Sequence, residues 1–135
     1  MKWTKGKVLR VIRQARRAGE QAADKKVVEL EAAGPKYAVC DATAGDRVVG
    51  TLLDACGGAH LQISARGKFY LLAKELSKVL TNRFFCRRAY GGGGTLTIFD
   101  STSRQEISVN AAAAKAQAAV LKQHGIKATV RSYLD

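Results

Sequence analysis

His60-Leu61-Gln62-Ile63-Ser64, then Ala65-Arg66-Gly67, then Lys68-Phe69-Tyr70-Leu71-Leu72-Ala73-Lys74-Glu75-Leu76-Ser77-Lys78-Val79-Leu80: on this stretch the fold turns. Residues 60–64 alternate between polar and apolar side chains, the period of a strand with one buried face. Residues 68–80 place Phe69, Leu72, Ala73, Leu76, Val79 and Leu80 at helical spacing. A strand running through a short basic loop into an amphipathic helix opens a βα unit.

Downstream, Arg83 to Tyr90 alternates again and reads as a strand. The glycine run 91–94 is a flexible connection, and Thr95-Leu96-Thr97-Ile98-Phe99 is the returning strand. Ser101-Thr102-Ser103 turns the chain, and Ile107 and Val109 continue in extended form. Asn110 is expected to cap an alanine-rich helix over 111–124, because Asn caps well and Ala is the best helix former. Gly125 closes that helix, with Ile126 placed for a Schellman contact. In the last segment Ala128, Val130, Ser132 and Leu134 alternate with Lys127, Thr129, Arg131 and Tyr133, as in a strand. From His60 onward the order is strand–helix–strand–strand–helix–strand. That is the split βαβ order of ferredoxin-like domains, so the expected class is α+β with a ferredoxin-like core.

Upstream, residues from about Thr4 to Ala33 read as helix. Val8, Ile12, Ala15, Gly19, Ala22 and Leu30 form one stripe, and Arg10, Arg13 and Arg17 lie opposite, flanked by Lys7 and Arg16. Gly19 weakens the middle, which leaves two shorter helices open as a reading. Gly34-Pro35 ends the segment. Tyr37-Ala38-Val39-Cys40 and Arg47 to Leu53 read as a β-hairpin across Asp41 to Asp46. Residues 46–56 also fit helical spacing, but the β-branched pair Val48-Val49 and the interior Gly50 suit a strand better. Gly57-Gly58 then breaks the chain before His60. A length of 135 residues fits a single domain, 1–135, with the N-terminal helix in 1–34 and the α/β core in 36–135.

The loudest signal is charge. Lys and Arg number 23 against 11 Asp and Glu, a net charge of +12. The excess is concentrated, with ten bases and four acids in residues 1–36 and six bases and one acid in residues 67–90. Two basic blocks are what a nucleic-acid footprint requires. Neither a signal-peptide core nor a run of apolar residues able to span a membrane is present, so a cytoplasmic protein without a membrane partner is expected. Cys40, Cys56 and Cys86 are scattered, lack the paired spacing of zinc sites and are expected to be reduced, mostly buried thiols. No cofactor or metal is implied.

Arg10, Arg13 and Arg17 present forked, permanently charged donors along one helix face, as phosphate contact requires. In the strand Arg83–Tyr90, one face carries Phe84, Cys86, Arg88 and Tyr90 and the other Arg83, Phe85 and Arg87. Phe84 and Cys86 make the first face the more apolar, so it is expected inward. The outward Arg–Phe–Arg row would then be a base-stacking platform with phosphate clamps. The competing reading buries Phe85 beneath a helix. Arg66 and Lys68 flank a helix N-terminus and form an anion-site candidate. The glycine run lacks the following helix of a phosphate loop.

These readings converge on a non-enzymatic protein that binds DNA or RNA through a basic helix and a basic, aromatic strand. The expected contacts are Arg10, Arg13, Arg17, Arg66, Lys68, Arg83, Phe85, Arg87 and Arg88. Two alternatives compete. One is a small metal-dependent nuclease built on Asp41, Asp46 and Asp54, although Asp41 and Asp46 also suit a turn. The other is an interaction or assembly module whose basic surface meets a protein partner.

Overall fold

Thr4 starts the first helix by accepting a hydrogen bond from the Lys7 N–H at 3.2 Å. The computed structural model describes residues 2–89, 92–99 and 104–135. Within them α1 (Lys5–Ala33) is continuous. Gly19 does not divide it, contrary to the two-helix reading. It is buried where α3 (Ile107–Gln123) crosses, and a Cβ there would lie 2.7 Å from Gln117 Nε2. The glycine thus serves close helix packing, and tertiary contact outweighs its low propensity. The buried stripe is Val8, Val11, Ile12, Ala15, Gly19, Ala23 and Leu30, with Ala22 only half-buried.

Gly34, at a φ of 82°, turns the chain into the hairpin β1 (Tyr37–Asp41) and β2 (Arg47–Leu52). Tyr37 faces Leu52, Asp41 faces Arg47, and a bulge follows Val39. The strand reading of this region therefore holds over the helical one. Tyr37, Val39, Val48, Val49 and Leu52 are all exposed, so the main core does not cover the hairpin. Cys40 is exposed on it too, which corrects the expectation of mostly buried thiols; Cys56 is half-buried and Cys86 buried. Burial pushes the Cys86 thiol up to about 12.

β3 (Gly57–Ile63), β4 (Phe84–Arg88), β5 (Gly94–Ile98) and β6 (Thr129–Leu134) form one sheet in the order β4-β5-β3-β6, with every neighbouring pair antiparallel. Leu61, Ile63, Phe84, Cys86, Leu96 and Ile98 point to one side. There they join Val8, Val11 and Ile12 of α1, Phe69, Tyr70 and Ala73 of α2 (Lys68–Ser77), and Ala114, Val120 and Leu121 of α3. The three described helices thus serve one face, and among the described residues no helix covers the opposite one.

Several boundaries differ from the sequence reading. Gly57-Gly58 is the start of β3 rather than a break. Gly57 pairs with Leu134 and Gly58 with Tyr133, and a Cβ on Gly57 would collide with the Tyr133 carbonyl. α3 begins at Ile107, so residues 107–109 are helical rather than extended. Asn110 is not its cap, since its side-chain amide donates to the Gly57 carbonyl at 2.7 Å. Asp54, buried, accepts instead from the Ser108 N–H at 3.2 Å and places a carboxylate at the positive end of α3. The Ser108 hydrogen bond holds the Asp54 carboxyl below its ordinary range, against the opposing effect of burial. α2 ends at Ser77 and leaves Val79 exposed rather than in the core stripe. The Schellman end is as expected: Gly125 has a φ of 79° and Ile126 N–H donates to the Leu121 carbonyl at 2.9 Å. Among the described residues, no helix is long and apolar enough to cross a membrane. Tyr90, Gly91 and the turn 101–103 lie outside the described residues.

Candidate nucleic-acid interface

In β4, Phe84 is 1% exposed whereas Phe85 is 41% exposed. Within β4 the inward and outward faces are therefore those expected from the alternation, and among the described residues no helix covers Phe85. On β5 the outward residues are Thr95 and Thr97, and Phe99, just past the end of the strand, is also 41% exposed. The register sets Arg87 beside Thr95 and Phe85 beside Thr97, and the Phe99 N–H donates to the Arg83 carbonyl at 2.9 Å. Two phenyl rings thus sit diagonally on neighbouring segments of this face, beside Arg87. The Arg87 guanidinium lies 5.8 Å from the Phe85 ring centroid, a cation–π contact that holds both outward.

β3 and β6 extend this face. His60 pairs with Arg131 and Gln62 with Thr129, and Arg131 Nε donates to Gln62 Oε1 at 3.0 Å. The rings of His60 and Tyr133 lie 6.1 Å apart. His60 titrates below its ordinary value, first because it is partly buried and then because Arg87 and Arg131 both repel its proton. Two guanidiniums from opposite halves of the sheet thus act on one imidazole. A phosphate beside His60 would be attracted by both charges, while Phe85, Phe99 and Tyr133 offer ring faces on the same side of the sheet.

The contacts expected from sequence do not form one patch. Phe85 and Arg87 lie on the open face, whereas Arg83, in the turn before β4, lines a groove against α1 instead of continuing the expected outward row. Arg10, Arg13 and Arg17 are exposed on α1, whose buried stripe packs on the other side of the sheet. Arg13 meets Arg83 there, with Arg16, around a groove of about 150 Å³ between α1 and β4. Arg16 itself pairs with Glu20 at 3.2 Å. Arg66 and Lys68 are exposed at the N-terminus of α2. β3 and β4 point the same way, each being antiparallel to β5, so Arg66, Lys68, Arg87 and Arg88 gather at one end of the sheet. Arg88 is on the helix side of β4 near Tyr70, whose phenol is pushed above its ordinary range by burial and by Cys86, with Arg88 opposing the shift.

His60, Gln62, Thr95, Thr97, Phe99, Arg131 and Tyr133 were absent from the expected contacts. Alternation within 127–134 already put Arg131 and Tyr133 on one face, but only the sheet order brings that face beside Phe85. Asp41 accepts from the Thr43 N–H at 3.0 Å in the hairpin turn, while Asp54 serves α3. Among the described residues, no three His, Cys, Asp or Glu side chains are grouped to hold a metal ion.

The chain matches no protein-family model, no curated protein and no solved structure.

Proposed function

We propose that this protein binds single-stranded nucleic acid, DNA or RNA, on the open face of its four-stranded sheet, and does so without catalysing a reaction on it. The observation that carries this reading is the pair Phe85 and Phe99, each 41% exposed near Arg87 on a face that no helix of the described residues covers. An exposed phenyl ring costs solubility and contributes little to the core. Stacked on an unpaired base, it contributes about 1–3 kcal/mol to binding. The net charge of +12 supports the same reading through phosphate attraction. The arginines of α1 and the groove at Arg13 and Arg83 would take the flanking strand.

We read the scaffold as a ferredoxin-like core. The β3-α2-β4-β5-α3-β6 order and the sheet order β4-β5-β3-β6 support that assignment.

Titrating a fluorescent single strand and the matching duplex over a range of salt tests the function. About four neutralised phosphates on a single strand give a log–log slope near −3. The expected result is tighter binding to the single strand, and a loss of affinity in Arg87→Glu and Arg131→Glu. No binding at low salt, or a preference for the duplex, overturns the reading.

A further inference from the structure

Half of the central sheet is parted. β3 and β5 pair at Ile63–Gly94, Gln62–Thr95 and Leu61–Leu96, and there the ladder stops. Continued in register, His60 would face Thr97, Ala59 would face Ile98, and Gly58 would face Phe99. Instead β3 stays with β6, β5 stays with β4, and those six residues form the two walls of a cleft of about 260 Å³. The floor is α3, which contributes Asn110, Ala113, Ala114 and Gln117.

The floor is small and polar without free charge. Ala113 and Ala114 leave depth. Arg104, at the margin, is closed on Glu106 through contacts of 2.6 and 3.1 Å, so its guanidinium is already matched. Asn110 uses its amide hydrogens on the carbonyls of Gly57 and Arg104, which leaves its carbonyl oxygen as an acceptor. Gln117 is 4% exposed and lines the cleft, so its carboxamide is within reach of a guest that enters. A carboxamide offers donor and acceptor side by side, which matches the edge of a base and not a phosphate. The mouth is edged by Phe99, His60 and Tyr133, whose ring faces suit a flat guest.

We infer that this cleft takes one unstacked nucleobase of the strand lying on the sheet, with the carboxamides of Gln117 and Asn110 reading its edge. The inference rests on the binding reading above and adds to it a base preference that phosphate contact and stacking alone do not produce.

The test compares short homopolymer strands of A, C and T for the wild type, Gln117→Met and Thr97→Phe. Methionine keeps the length of the side chain over Gly19 and removes the hydrogen bonds. Phenylalanine on the cleft wall closes the mouth from an outward position, so it decides the matter if Gln117→Met fails to fold. The wild type should favour one base by roughly tenfold. Each folded variant should bring the affinities for all three strands to within about twofold of one another, whatever its overall affinity, since selectivity is the part that base-edge contacts supply. A wild type that binds all three alike, or a preference retained by the variants, overturns the inference and leaves strand binding standing. Absence of binding to any strand overturns both.

Discussion

Replacing Phe85 by alanine separates a surface built for stacking from one built for stability. A fully buried Phe→Ala change costs about 3–5 kcal/mol, part of it from the cavity left behind. Phe85 is 41% exposed, so little more than half of its surface is at stake. The lost ring leaves a notch open to water rather than a sealed cavity, and the cation–π contact with Arg87 adds about 0.5 kcal/mol. The expected destabilisation is therefore about 1–2 kcal/mol, a fall in Tm of roughly 3–10 °C for a domain of this size. Phe84, 1% exposed, is the internal comparison, and Phe84→Ala should show the full core cost. Single-strand binding should respond in the opposite order. Removing one stacking platform costs about 1–3 kcal/mol, which is roughly 5- to 150-fold in Kd. Calorimetry gives the first quantity and fluorescence anisotropy the second. A folded Phe85→Ala protein that binds single strands as tightly as the wild type would refute the stacking argument.

Three further outcomes are expected. His60 is held below its ordinary pKa by partial burial and by Arg87 and Arg131, and a bound phosphate would relieve that repulsion. Binding should then take up a proton, so affinity should rise from about pH 7.5 to about pH 5.5, and His60→Gln should flatten that slope; a wild-type affinity independent of pH would count against a phosphate at this position. Gly57→Ala should lower stability by about 1–3 kcal/mol, read by urea denaturation, because the obstacle to its Cβ is the Tyr133 backbone and not a mobile side-chain end. A thiol reagent at neutral pH should modify exposed Cys40 readily and reach Cys86 only on unfolding, since burial both shields the Cys86 thiol and raises it to about 12; mass spectrometry showing equal labelling would contradict that placement.

The α+β character was legible because period two and period 3.6 follow each other sharply between His60 and Leu80. The inward turn of Phe84 and Cys86 was legible from the same alternation. Pairing of residues far apart in sequence was not. Gly19 and Gly57-Gly58 read as breaks because glycine usually marks one. Here each is glycine because another element passes too close for a Cβ, Gln117 in the first case and the end of β6 in the second. The start of α3 was missed because the carboxylate that accepts from its first turn, Asp54, is far from it in sequence. The interface was half legible for a related reason. Charge density pointed to Arg10, Arg13 and Arg17, which lie across the core from Phe85 and Arg87. Alternation put Arg131 and Tyr133 on one face of their strand, but only the placement of β6 beside β3 brings that face alongside Phe85 and Arg87.

The most direct test of strand binding on the open sheet face is a backbone amide NMR titration of the whole protein with a short unlabelled single strand. The account predicts that shifts cluster on Phe85, Arg87, Thr95, Thr97, Phe99, His60 and Arg131, with smaller changes near Arg13. Shifts confined to Arg10, Arg13 and Arg17, with the β4 and β5 resonances unmoved, would contradict it.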